Sequence, residues 1–250
     1  VISTLAHATQ SEVADGGDTT LVQPSDWNAE HRARPGLTYY AFEEDFVWND
    51  ATDLTAGLGW DFNSHTAIQF VAGEDAHPGI LRVTRNTAST AFMAADLSST
   101  TDRPFHTRTV VQFTWVLRWS TISSTSRIRF GLGSVTAAEF GANGVYFQHS
   151  AGTSAKWQAV TRSGSTNSTV TSSGADVAAN TWYECSAVYD QSAVSWEFFV
   201  NGSSIGTSSS QIPNTMTNFG LSFLNNSGSI QQFDLDYVGV VLKYPGTRYA

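Results

Sequence analysis

The sequence predicts an all-β protein: one large sandwich of two antiparallel sheets, led by an extended, polar N-terminal arm. Two observations carry that expectation. From Tyr39 onward, short runs of alternating apolar and polar residues are separated by segments rich in Ser, Thr, Gly and Asn, as in antiparallel strands joined by turns. No stretch of ten or more residues repeats apolar groups at i, i+3, i+4 and i+7 between helix caps, so no helix competes.

The arm, residues 1–36, has no period. It holds the breaker run Asp15-Gly16-Gly17-Asp18 and the segment Val22-Gln23-Pro24-Ser25-Asp26-Trp27-Asn28-Ala29-Glu30-His31, where Pro and Gly punctuate rather than pack. Ser25 or Asp26 is placed to cap a single helical turn through Glu30. A segment this polar buries too little apolar surface to fold alone and needs something to lie against. Trp27 is its large apolar group and reads as an anchor into a neighbouring subunit, because buried aromatics dominate interfaces. Fully extended, such an arm reaches about 120 Å.

Residues 37–250 are expected to form the sandwich. Runs at 67–71, 79–84 and 91–95 open the strand series. The clearest strand is 111–119: Val111, Phe113, Trp115, Leu117 and Trp119 share one face, and Gln112, Thr114 and Arg118 take the other, with Val116 the apolar exception. Further strands are expected at 127–132, 145–149, 156–162, 182–189 and 194–200. The last of these runs into Asn201-Gly202 and then 203–207. Asn-Gly between two strand patterns specifies a type I′ hairpin, because both central residues need positive φ. In 231–242, apolar residues alternate with Asp234 and Asp236 before both faces turn apolar, the pattern of a central strand.

Composition excludes several functions. The formal net charge is −9, from 13 basic and 22 acidic side chains, and charged residues make up only 14%. The surface must therefore be built from Ser, Thr, Asn and Gln. Without a basic stripe, nucleic acid is not an expected partner, since phosphate neutralisation needs clustered Lys or Arg. No apolar run approaches the roughly 20 residues that span a bilayer, so membrane insertion is not expected either. Val1-Ile2-Ser3-Thr4-Leu5-Ala6-His7 lacks the basic and apolar regions of a secretory signal, which predicts synthesis in a cytoplasm without secretion by the usual route. The sequons at Asn167, Asn201 and Asn225 read as chance matches in a Ser/Thr-rich chain. Cys185, the single cysteine, rules out an internal disulfide. It lies in an alternating run beside Glu184, so it reads as a small buried hydrophobe and not a reactive thiol.

Thr181-Trp182-Tyr183-Glu184, Trp196-Glu197-Phe198-Phe199-Val200-Asn201-Gly202 and Phe233-Asp234-Leu235-Asp236-Tyr237-Val238 follow one another in an order that resembles the concanavalin A-like (laminin-G- or glucanase-like) jelly roll. Phe42-Glu43-Glu44-Asp45-Phe46 is similar to that family's first strand, and the likeness covers about 39–244. This resemblance implies fold more than function, because the fold hosts lectins, hydrolases and inert modules. The arm carries a second resemblance. His7-Ala8-Thr9-Gln10, Asp18-Thr19-Thr20-Leu21-Val22 and the segment from Pro24 to His31 are similar to the N-terminal segment of virion proteins of tailed bacteriophages. That resemblance implies a structural component of the particle, in a tail fibre, a tail tip or the capsid surface. Pro24, Asp26, Trp27 and His31 would make the assembly contact, and other virion proteins would be the partners. Homo-oligomerisation is expected, a trimer being among the forms fibres take, and the jelly roll would face outward toward host surface glycans. The alternative is a carbohydrate-binding, lectin-like module without a particle-assembly role.

Catalysis is not expected. A glycosidase needs two carboxyl groups about 5–9.5 Å apart, and retaining enzymes that resemble this fold carry them as Glu-x-Asp-x-Glu on one strand, a string this sequence lacks. Asp234 and Asp236 share a face without a third acid, and Glu43-Glu44-Asp45 are adjacent instead of alternating. Asp234 with Asp236, or Asp50 with Asp53, offers oxygen ligands of the kind calcium takes, but no EF-hand-like loop surrounds either pair. They read as solvated acids on an outer face, and no metal or cofactor is expected. The six histidines show no ligand spacing, and no Gly-x-Ser-x-Gly elbow anchors a triad. Among the eight tryptophans, Trp115, Trp182 and Trp196 fall on apolar phases and are assigned to the core. Trp157 follows Lys156 in a polar hairpin opposite Tyr146 and Gln148, which makes those three the candidate glycan site. The competing reading makes Trp157 another core aromatic.

Overall fold

The computed structural model describes residues 4–5, 31–32, 39–44, 60–63, 67–85, 89–96, 110–120, 122–123, 125–135, 140–213, 218–225 and 230–243. The chain divides into two compact units, residues 1–39 with 244–250, and residues 40–243. In the first, β1 (Thr4–Leu5) pairs antiparallel with β2 (His31–Arg32) as a separate two-stranded sheet, Leu5 opposite His31. Pro24, Asp26, Trp27 and the expected helical turn lie outside the described residues, as do Asp45, Asp50 and Asp53.

The strands that follow are β3 (Tyr39–Glu44), β4 (Trp60–Asn63), β5 (Ala67–Val71), β6 (Ile80–Arg85), β7 (Ser89–Asp96), β8 (Val110–Trp119) and β9 (Arg127–Val135). They continue with β10 (Phe140–Ser150), β11 (Ser154–Ser163), β12 (Thr166–Thr171), β13 (Trp182–Asp190), β14 (Ser195–Val200), β15 (Ser203–Ser208), β16 (Asn218–Asn225) and β17 (Gln231–Lys243). A seven-stranded sheet has the order β12-β11-β10-β9-β16-β7-β4. An eight-stranded sheet has the order β15-β14-β13-β8-β17-β6-β5, with β3 also paired to β17. Hairpin neighbours such as β9 and β10 alternate with distant ones such as β8 and β17, the winding of a jelly roll.

The alternation of β8 explains its place. Phe113, Trp115, Leu117 and Trp119 are at most 1% exposed, while Thr114, Val116 and Arg118 are half-buried on the other face. Phe219, Leu221 and Phe223 of β16 meet them from the opposite sheet, joined by Ile128 and Phe130 of β9. The rings interlock across the gap: Trp115 lies 4.6 Å from Phe219, and Phe147 meets Phe113 and Phe198 edge-on at 6.2 and 5.6 Å. Cys185 sits in the same core, and burial pushes its thiol well above the ordinary range.

The central strand β17 carries the one irregularity that matters most. Phe233 and Leu235 point inward, and so do Val238 and Val240, one residue out of phase with the first pair. A bulge between Leu235 and Tyr237, in the pairing with β8, absorbs the extra residue. The apparent switch to apolar on both faces is therefore a phase shift of one inward-facing stripe. Gly239 follows for a steric reason: a Cβ there would lie 2.5 Å from the Tyr237 hydroxyl. At the expected hairpin, Asn201 and Gly202 have φ of 50° and 72°, as a type I′ turn needs. Asn201 also extends the ladder onto β13, donating its backbone N–H to Glu184 O at 2.7 Å and accepting from Glu184 N through Oδ1 at 2.9 Å.

One end of the core contains a histidine. His149 is 1% exposed, and its ring lies 5.4 Å from that of Trp119 and 5.7 Å from that of Trp157. Burial holds its pKa below the ordinary value, opposed only in part by the backbone of Ala155. The unfolded chain takes up a proton here near the ordinary value, about 6.5, and the folded chain only at lower pH. Its contribution is therefore complete at higher pH and is lost as the pH falls through that value, by up to about 1.4 kcal/mol per pH unit. His149→Leu is expected to flatten the acid side of the stability profile, measured by urea unfolding at a series of pH values. An unchanged slope would place the acid sensitivity elsewhere.

Candidate functional site

The candidate glycan site at Trp157, Tyr146 and Gln148 does not assemble. In β11 the polar neighbours Lys156 and Gln158 occupy the outward phase, which sends Trp157 inward. It is 2% exposed and packs edge-on against Phe130 and Tyr183, so its face is closed to a sugar. Tyr146 and Gln148 lie in the opposite phase from Phe147 and are paired across the strands with Val160 and Gln158. Tyr146 is fully buried with Arg129 over its ring at 5.6 Å, and Gln148 is tied to Arg129 and Gln158 by hydrogen bonds of 3.1 and 3.0 Å. The three residues thus face two different sides of one sheet.

A polar constellation forms instead on the outer face of the eight-stranded sheet. Cross-strand register sets Trp182 of β13 opposite Arg118 of β8, Arg118 opposite Asp234 of β17, and Asp234 opposite Arg82 of β6. Sheet pleating points all four the same way, so charge alternates along a row. Asp234 is at its centre, 0% exposed, which corrects the expectation of a solvated acid. Arg82 donates to both its oxygens, Nε to Oδ1 at 2.7 Å and Nη2 to Oδ2 at 2.9 Å, and Arg118 Nε adds a third bond to Oδ2 at 2.8 Å. The carboxylate raises the pKa of Arg82. Asp236 is also withdrawn from solvent at 8% exposed, and its Oδ2 lies 2.9 Å from His77 Nδ1.

The connection between β5 and β6 lies over this row as a strap. Glu74 and His77 close it on itself through two backbone hydrogen bonds of 2.9 Å. Ala76 makes the reversal with φ of 68°. Glu74 then receives Arg118 Nη2 and Nη1 at 2.6 and 2.9 Å, and Trp182 Nε1 at 3.5 Å. Arg118 pulls the Glu74 carboxyl below the usual carboxylate range. The His77 ring stacks on Trp182 at 4.1 Å and 21°, and the guanidinium of Arg118 lies 4.7 Å from the same indole. Trp182 is half-buried on the outer face, which corrects its assignment to the core. Its successor Tyr183 takes the inward phase.

A two-sheet antiparallel sandwich with this strand order is a concanavalin A-like domain, and solved structures agree. Bacillus licheniformis β-glucanase superposes with a TM-score of 0.53 at 13% identity, over 80% of this chain and 97% of that one. Peanut lectin gives 0.55 at 12%, over 84% and 99%. The protein of unknown function SO2946 from Shewanella oneidensis MR-1 gives 0.62 at 13%, over 87% and 92%. At these identities the likeness is one of fold. The chain belongs to the family described as SO2946-like, C-terminal domain, whose model matches residues 76–235. No curated protein matches the sequence.

Proposed function

We propose that this chain is a structural component of a bacteriophage particle, a tail-fibre, tail-tip or capsid-surface protein that displays its sandwich outward in the virion. The observation that carries the reading is the Pro24-Ser25-Asp26-Trp27-Asn28 segment, with its likeness to the N-terminal segments of phage virion proteins. Fold topology supports it: β1 and β2 pair with each other, and strands from Tyr39 to Lys243 make up both sheets of the sandwich. Pro24, Asp26, Trp27 and His31 would contact other virion proteins, and copies of the chain would associate with one another. Deleting residues 1–36 and measuring incorporation into particles tests the attachment role. The expected result is a folded sandwich absent from purified particles, and normal incorporation would refute it.

In this reading the sandwich does no catalysis. Among the described residues, the acids of the charged row are engaged by cations, Asp234 by two arginines and Glu74 by one. A general acid and base need freedom to exchange protons with substrate. A second reading, a lectin-like module, is favoured by a specific feature, the outward-facing, half-buried Trp182 beside a guanidinium fork. It is compatible with the first if the displayed sandwich touches host glycans, and a glycan array separates a purely structural body from a sugar-binding one.

A further inference from the structure

We propose that the strap residues Glu74 and His77 occupy, as an internal stand-in, a binding site for an acidic sugar on the outer face of the eight-stranded sheet. The sugar's carboxylate would take the place of the Glu74 carboxylate in the fork of Arg118, and its pyranose ring would take the place of the His77 ring on Trp182. This rests on the lectin-like reading above and names its ligand class.

Three features carry it. Arg118 offers both terminal nitrogens to one carboxylate, at 2.6 and 2.9 Å, and the Trp182 indole N–H points to the same group at 3.5 Å. That two-pronged geometry is the one by which guanidinium recognises any carboxylate. The fork is also held in place from beneath. Arg118 Nε donates to buried Asp234 at 2.8 Å through a nitrogen that Glu74 does not use, so the site is preorganised. Finally, the strap covers two recognition elements at once. Glu74 fills the fork while His77 lies flat on the indole at 4.1 Å, the position in which the apolar C–H face of a pyranose meets the negative face of an aromatic ring. A ligand that replaces both must combine a carboxylate with a flat, partly apolar ring, and a uronic acid does.

The strap is displaceable. Glu74 is 45% exposed at its side chain, its neighbours Ala72, Gly73, Asp75 and Ala76 are exposed, and exposed ion pairs hold weakly. Being tethered, Glu74 competes as a ligand present at an effective concentration on the order of millimolar. The native chain therefore binds an acidic sugar less tightly than the bare fork would.

The test is calorimetric titration of the full chain with tetragalacturonate, using cellotetraose and tetraglutamate as controls. Glu74→Gln is expected to bind tetragalacturonate roughly tenfold tighter than the native protein, since the internal competitor is gone. Neither control is expected to bind, and adding Trp182→Leu should abolish the gain. Binding by Glu74→Gln no tighter than native overturns the site. Equal binding of tetraglutamate overturns the stacking half, and equal binding of cellotetraose overturns the charge half. If the Trp182→Leu chain fails to fold by circular dichroism, His77→Ala replaces it. That variant uncovers the same indole face and must strengthen tetragalacturonate binding, and no change overturns the proposal. Array binding of other sugars that is indifferent to Glu74→Gln removes this site and leaves the lectin-like reading standing, whereas silence for every sugar removes both.

Discussion

Asp234→Ala is expected to destabilise the sandwich by about 3–5 kcal/mol, because it removes the buried anion that lies between two arginines. The carboxylate is fully buried and accepts three charge-assisted hydrogen bonds, two from Arg82 and one from Arg118. Its loss leaves Arg82 without the carboxylate that offset its desolvation and Arg118 with Glu74 alone. Asp234→Asn keeps the shape but not the charge, so it should recover only part of the loss. Replacing the trio with Met at positions 82 and 118 and Leu at 234 is expected to cost far less than Asp234→Ala alone, since no buried charge is left unpaired and Glu74, which loses Arg118, is 45% exposed. Urea unfolding of the variants decides the matter. Equal midpoints for native protein and Asp234→Ala would mean that solvent already screens the row.

Trp115→Ala should have an effect of the same size, about 3–5 kcal/mol, for the opposite reason. Its indole is fully buried at the centre of the inter-sheet layer, 4.6 Å from Phe219 and 5.7 Å from Phe130 by ring centroid. Both neighbours are fixed on strands, so the void cannot close by local collapse. For a domain of this size such a loss lowers Tm by roughly 10 °C. Differential scanning calorimetry measures it, and a fall of a degree or two would show that the sheets can slide together. Being apolar, this site should respond little to salt.

Much of the architecture could be read from residue pattern alone, and the failures have physical causes. Strand β8 was legible because its alternation is strict and its inward residues are large. Asn201-Gly202 was legible because few dipeptides accept two consecutive positive φ values. The pattern does not mark β16, although Phe219, Leu221 and Phe223 alternate across it, because Gly and Ser between them and Asn at both ends imitate loop composition. Strand β12, Ser- and Thr-rich at the sheet edge, was hidden in the same way.

The charged row was only half visible. Trp182 and Tyr183 are adjacent, so a strand can bury only one of them, and Tyr183 satisfies its hydroxyl at the sandwich rim by accepting from Ala178 N at 2.9 Å. That constraint was available in the sequence and would have turned Trp182 outward. Trp157 shows the converse error, since polar neighbours on a half-buried strand are the normal company of a core residue. Glu74 had no local signal at all. It is 44 residues from Arg118, and only the folded sheet brings the two together.

The bulge in β17 makes this strand tolerant of substitution in one sense and intolerant of length change in another. Val238 and Val240 could be exchanged for other aliphatic residues at modest cost. Losing the one extra residue at the bulge would leave Val238 and Val240 facing inward on a regular strand, but a deletion elsewhere in the stretch, with the bulge kept, would turn the residues beyond it to the wrong face. Among relatives of this chain, a missing bulge residue should therefore be tolerated in β17, while other insertions and deletions should cluster in the connections.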